Sequence, residues 1–304
     1  MRRFAASPPP ASSAEEVQVT RREFLALTGV AAAVGGRAPV FANPLGLPFG
    51  YQAWEVAPDM RKDWDGTLKT MKDFGYSYID LNQVPPYTDK TAADLKASFT
   101  SHGFTFTNAL WSYQAFSMQF DQTIADSQTL GLETIVCSPR PRLRTSDDWK
   151  SMADELNKYG ERMKGSGLQL GYHNHEIEFV DIDGQVPYDV LMAGCDKDLV
   201  RFQIDVGNLT FAGKDAITYL KKYPERYFSM HAKDYLPGKA SVPVGQGVLK
   251  WPEIFRIVKT TKIENYFAEV AAYAAGSLQK LTPWPTDSTD QLRQSYEYLH
   301  KLTV

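Results

Sequence analysis

The chain has 304 residues, of which 43% are hydrophobic, 12% aromatic and 23% charged, with a formal net charge of −3. That length and apolar content allow a large buried core in one large domain or two ordinary ones. The aromatic content argues against disorder, and the charge excludes a polycationic surface built for nucleic acid.

In chain order, the first segment reads as an address. Thr20-Arg21-Arg22-Glu23-Phe24-Leu25 is a twin-arginine pattern, the run 26–36 is small and apolar, and residues 39–42 read as a signal-peptidase region. The apolar run is too short and too rich in Gly and Ala to span a bilayer. Residues 1–42 are therefore expected to be a twin-arginine signal peptide, and residues 43–304 a protein that is periplasmic or otherwise exported through the twin-arginine pathway, without stable membrane insertion. Losing five Arg and three Glu with the leader takes the net charge from −3 to −5.

Short β-branched or aromatic runs then alternate with longer stretches of helical apolar spacing. Strands are expected at 49–56, 76–81, 104–111, 132–138, 168–175, 202–209, 227–233 and 263–270. Helices are expected at 63–74, 92–102, 121–130, 146–164, 186–193, 215–222, 251–259 and 287–302, with Gly103 and Gly131 as C-terminal stops. Eight strands alternating with eight helices over about 260 residues predict one α/β domain, a (β/α)8 TIM barrel. The strand count and the lack of a Gly-rich first turn disfavour an open doubly wound sheet. Cys137 and Cys195 are too few for a disulfide framework and are read as buried free thiols.

In this barrel the active site is built at the C-terminal ends of the strands. Four of these ends carry metal-capable side chains: His173 and His175, Asp205, His231 with Lys233, and Glu269. Strand alternation puts His173 and His175 on one face, and His231 and Lys233 on another. Imidazoles and carboxylates converging without Cys suit Mn2+, Zn2+, Co2+ or Fe2+, and disfavour a purely structural zinc. His102 and His300 fall at helix ends, away from this set.

Several stretches carry a family likeness: Gly171-Tyr172-His173-Asn174-His175-Glu176-Ile177-Glu178-Phe179, Ile204-Asp205-Val206-Gly207-Asn208, His231-Ala232-Lys233-Asp234 and Val244-Gly245-Gln246-Gly247, with Glu269 closing the last strand. The chain resembles the sugar phosphate isomerase/epimerase superfamily, whose barrel is xylose isomerase-like, over essentially all of residues 43–304. The resemblance implies a divalent metal held by Glu, Asp, His and Glu from the fifth to eighth strands. It maps Asp205, His231 and Glu269 onto three ligands. The fifth-strand position departs from the pattern: many relatives read Glu-Asn-His, and this chain reads His173-Asn174-His175. His173 takes the ligand place, with His175 or Glu178 as substitutes, and the usual two-glutamate mechanism loses one of its carboxylates.

The expected chemistry is sugar isomerisation or epimerisation by proton abstraction beside a carbonyl, through a metal-stabilised enediolate. Glu269 is the first candidate base, Glu178 and His175 are candidates for the opposite face, and Lys233 for a donor to the oxyanion. Trp54, Trp111 and Tyr113 are candidate sugar-stacking residues, and Asn208 a further substrate contact. The alternative outcome is elimination of water or an aglycone from a keto-sugar or 3-keto-glycoside. A non-catalytic carbohydrate-binding barrel is the alternative from another class. A DNA-repair endonuclease on the same barrel would need more metal ligands than five His allow, and a basic groove. The expected partner is thus a small sugar or keto-sugar and no nucleic acid, with homo-oligomerisation left open.

Overall fold

A computed structural model describes residues 43–82, 89–237, 241–270 and 287–304; residues 1–42, expected as a twin-arginine leader, lie outside them. Eight parallel strands close into a barrel: β1 (Phe49–Gln52), β2 (Tyr78–Asn82), β3 (Thr105–Trp111), β4 (Thr134–Cys137), β5 (Gln169–His173), β6 (Val200–Asp205), β7 (Tyr227–Tyr235) and β9 (Asn265–Glu269). Each pairs with its neighbour, and β9 returns to β1 through Gly50↔Phe267. The two-residue strand β8 (Ser241–Val242) adds antiparallel to the end of β7.

The helices follow local chemistry. In α1 (Ala57–Lys62) Pro58 occupies the first turn, where its missing N–H costs nothing. Helix α2 (Trp64–Phe74) starts at Asp63, whose side chain accepts from the Gly66 amide, and stops at Gly75 with φ 110°. Helix α3 (Ala92–Ser101) opens with a reciprocal Thr91/Asp94 capping box. Then come α4 (Tyr113–Met118) and α5 (Phe120–Leu130), the latter ended by Gly131 with φ 81°. Helix α6 (Ser146–Met163) has a second capping box, Thr145 with Asp148. The remaining helices are α7 (Pro187–Gly194), α8 (Val206–Phe211), α9 (Ala216–Lys222), α10 (Trp251–Val258) and α11 (Ser288–Lys301). Among the described residues no helix is long and apolar enough to cross a membrane.

The expected alternation therefore holds, with local corrections. The strand expected at 49–56 stops at Gln52, and Ala53–Val56 turns into a 3-10 helix. The strand expected at 202–209 stops at Asp205, which caps α8 through the Asn208 amide. The strand expected at 168–175 ends at His173, so His175 sits in the following loop rather than on the strand face. In the first two cases apolar residues, Ala53, Trp54 and Val56 or Val206 and Leu209, continue past the strand end and mimic more strand.

Strand pairing fixes which side chains share a rung inside the barrel. Leu110, Val136 and Gly171 share one rung. Leu110, Val136 and the Phe228 ring form an apolar cluster separate from the main core, and a Cβ on Gly171 would strike that ring. The adjacent positions Trp111, Cys137 and Tyr172 alternate to the outer face, against the helices. Cys137 and Cys195 are buried and unbridged.

Candidate metal centre

Above the apolar cluster the interior turns polar. His173 on β5 is the register partner of Gln203 on β6, and His173 Nδ1 lies 3.0 Å from Gln203 Oε1. Gln203 Nε2 donates to Asp80 Oδ2 on β2 at 2.8 Å and to Ser229 Oγ at 3.2 Å. One rung higher, Asp205 pairs with His231 across β6 and β7. His231 Nε2 meets Asp80 Oδ2 at 2.6 Å, and its Nδ1 meets Glu269 Oε2 at 2.6 Å. At the top, Lys233 and Glu269 share a rung, and Lys233 Nζ donates to Glu269 Oε1 at 3.1 Å and to Asn208 Oδ1 at 2.7 Å.

His173, Asp205, His231 and Glu269 are all buried, and each offers a ligand atom within 4.8 Å of the others. Asp205 spends Oδ1 on the Asn208 amide, while its buried Oδ2 has no hydrogen-bond partner and lies 3.8 Å from Lys233 Nζ. A buried carboxylate oxygen left without a donor is costly unless a cation completes it. Two imidazoles and two carboxylates without a thiolate form a mixed N/O set suited to a divalent transition ion. These four residues can hold one.

The electrostatics divide the ionisable groups. Burial alone would raise Glu269, but Lys233 and His231 outweigh it and hold the carboxyl well below its usual range. Burial would lower His231, yet the hydrogen bonds to Asp80 and Glu269 prevail and hold it up to about 10. Asp205 is pushed up to about 7 by burial, against the pull of Lys233. Burial likewise drives His173 and His175 down, towards neutral imidazole. Lys233 is raised: Glu269 and Asp205 more than offset its desolvation.

The expected ligands thus come together, including the fifth-strand His173. His175 stands beside them, its ring 5.0 Å from that of His173, with a buried Nδ1 that has no hydrogen-bond partner. Glu178 does not join them. Its Oε1 accepts from the Tyr172 hydroxyl at 2.7 Å and its Oε2 from the His175 amide at 3.0 Å. Tyr172 faces outward, so Glu178 braces the loop from behind. Asn208 has its amide committed to Lys233 and to the Asn174 carbonyl, and positions the lysine. The three candidate stacking aromatics stand apart from one another. Trp111 points outward, Tyr113 donates its hydroxyl to Glu155 at 2.8 Å, and Trp54 is buried on the 3-10 turn after β1.

Three buried polar residues near the cluster carry no motif in the sequence: Asp80, Gln203 and Glu55. The first two are polar interruptions inside apolar strands, a signal that only the phase of the strand makes meaningful. Glu55 follows Trp54 just past the end of β1 and is buried. Burial and the Glu269 charge push it well above the usual carboxylate range, with Lys233 and His231 opposing. Asp234 is accounted for by structure: it accepts from the Gly245 and Gly247 amides at 3.0 and 3.1 Å and from Trp251 Nε1 at 2.8 Å, fixing the Val244–Gly247 loop.

A closed eight-stranded parallel barrel with a mixed imidazole–carboxylate cluster at its strand ends defines the class of protein. A model of the xylose isomerase-like TIM barrel family matches residues 68–302, and the chain belongs to that family. It is 31% identical to an inosose dehydratase of Clostridium perfringens over 139 residues, 40% of this chain and 46% of that protein. The chain thus spans about half the length of this curated relative. A sugar phosphate isomerase/epimerase from Parabacteroides distasonis superposes with a TM-score of 0.71 at 22% identity, covering 84% of this chain and 98% of the other. The IOLI protein with a bound zinc atom superposes with a TM-score of 0.64 at 14% identity, covering 83% and 96%. These two likenesses concern the fold.

Proposed function

We propose that this protein is a metal-dependent lyase that removes the proton beside the carbonyl of a keto-sugar or cyclic keto-polyol and expels water or an aglycone from the next carbon. The observation that carries this reading is the buried cluster of His173, Asp205, His231 and Glu269, whose ligand atoms lie within 4.8 Å of one another, with two buried carboxyls pushed in opposite directions, Glu269 below the usual carboxylate range and Glu55 above it. Carboxyls driven apart in this way mark separate roles, one charged and one acidic.

A divalent ion held by His173, Asp205, His231 and Glu269 would supply Lewis acidity to the substrate carbonyl and its neighbouring hydroxyl. Glu269 is a poor base, because both its oxygens are engaged and its charge is held by Lys233. His175 is the better one: a neutral imidazole with an unpartnered Nδ1, adjoining His173. It takes the proton from carbon. Lys233, fixed by Asn208 and Glu269, donates to the oxygen on which negative charge grows. Glu55 gives its proton to the departing oxygen as the C–O bond breaks and the C=C bond forms. Solvent then reprotonates Glu55 and takes the proton from His175, so the cycle needs no oxidant or reductant.

The inosose dehydratase relative supports an elimination on a ketone-bearing ring. Epimerisation or isomerisation begins with the same abstraction and ends with a proton returned to carbon. The absence of a fifth-strand carboxylate, with His173 in its place, favours elimination over the two-glutamate exchange. The twin-arginine pattern supports export of residues 43–304 and, with it, a free sugar, polyol or keto-glycoside as substrate. The test is incubation of Mn2+-, Zn2+- or Co2+-loaded protein with inososes and 3-keto-glycosides in D2O, followed by NMR. Release of water or aglycone supports the lyase; deuterium at carbon in an intact skeleton with no such release would replace it with an epimerase or isomerase. No turnover and no exchange would leave a binding barrel.

A further inference from the structure

The metal site described above rests on two imidazoles, each with two chemically different nitrogens, and nothing in the ligand set itself decides which nitrogen is free. The layer beneath it does. Asp80 is fully buried on β2, and its Oδ2 receives both His231 Nε2 at 2.6 Å and Gln203 Nε2 at 2.8 Å. A carboxylate only accepts, so both neighbours must donate to it. Gln203, turned with its amide nitrogen towards Asp80, has only Oε1 to offer His173, 3.0 Å from Nδ1. That oxygen also only accepts, so His173 must carry its proton on Nδ1.

We infer that Asp80 and Gln203 are positioning residues that together set the tautomers of both metal-binding imidazoles, leaving His173 Nε2 and His231 Nδ1 for the ion. Without an ion His231 Nδ1 also donates, to Glu269 Oε2 at 2.6 Å; because Glu269 is itself a candidate ligand and Asp80 is not, an ion shared by the two would take the place of that proton and leave the Asp80 bond on Nε2. Both imidazoles then have an outer partner of the kind that orients metal-bound histidines, and one carboxylate serves the two. Gln203 is anchored besides by Ser229, which holds its amide plane without altering the order of donors. The chain His173–Gln203–Asp80–His231 crosses the barrel interior from β5 through β6 and β2 to β7. The polarity at one end therefore dictates the polarity at the other.

This inference rests on the metal-centre reading, and its test separates the two. In Zn2+-loaded wild-type protein, long-range 1H–15N NMR should find His173 protonated on Nδ1 and His231 on Nε2. Co2+ titration followed by visible absorption should show Asp80→Asn and Gln203→Leu each weakening binding by about 10–100-fold. The double variant should fall little further than the weaker single one, because both changes cut one hydrogen-bonded chain. Ser229→Ala should stay near wild type. The reverse tautomers, or unchanged Co2+ affinity and spectrum in folded Asp80→Asn and Gln203→Leu proteins, would overturn the inference and leave the metal centre standing. A wild-type protein that binds no divalent ion would overturn both. If either variant fails to fold, the wild-type tautomers decide the matter.

Discussion

Lys233 and Glu269 share a rung of the barrel and meet at 3.1 Å, a buried ammonium and a buried carboxylate with Asp205 Oδ2 a further 3.8 Å from the same nitrogen. One cation thus faces two of the four ligand residues. It lowers the Glu269 carboxyl when no metal does so, and in the proposed mechanism it is the donor to the oxygen where charge grows. Lys233→Met is expected to lower kcat by about 10²–10³-fold, the usual loss for a missing oxyanion donor. Metal content by elemental analysis should remain at or above the wild-type level, since a repelling charge is gone. A kcat near wild type would remove Lys233 from the mechanism.

Glu55→Gln separates the two halves of the proposed reaction. The amide cannot give a proton to a leaving oxygen, so elimination should slow by about 10²–10⁴-fold. Exchange of the substrate C–H in D2O, which needs only His175, should persist. Loss of both processes together would place Glu55 elsewhere in the chemistry.

Glu178 gives a pH signature of its own. Burial holds its carboxyl up to about 7 in the folded protein, against an ordinary value of 4.5. Between those values the folded chain keeps a proton that the unfolded chain has released. Stability from this group is therefore fully present below pH 4.5, falls as pH rises through 7, and is flat above. The change is roughly 3 kcal/mol. Urea unfolding of metal-free protein should show Glu178→Gln gaining about that much on wild type between pH 4.5 and 8. Parallel pH profiles would contradict the shift.

Metal removal should register in stability as well as activity. An ion at a thousand times its dissociation constant stabilises the folded state by about 4 kcal/mol. For a protein of this size that is roughly 8–16 °C in Tm. EDTA should produce a drop of that order in wild type and almost none in Asp205→Ala, which lacks a ligand. An equal drop in both would locate the bound ion outside the four-residue cluster.

Much of this was legible in the sequence. The barrel followed from alternating apolar periodicities, and Gly103 and Gly131, expected as helix stops, both stand at positive φ. The candidate ligands His173, Asp205, His231 and Glu269 were visible because each follows an apolar run. What stayed hidden depended on rotation about the strand axis. Trp111 and Leu110 are sequence neighbours on opposite faces, and only the pairing with Cys137 and Val136 tells which one looks inward. Asp80 and Gln203 were overlooked for the same reason, as single polar residues within hydrophobic strands. Asn208 reads as strand because Val206 and Leu209 are apolar, although Asp205 has already begun a helix.

The cluster of Leu110, Val136 and Phe228, with Gly171 giving way to the phenyl ring, stops the barrel like a cork beneath the polar layer. Traffic must then use the strand C-terminal end alone. An incoming ring and the fragment it sheds would pass through the same doorway, so a departing product must clear the passage before the next substrate enters.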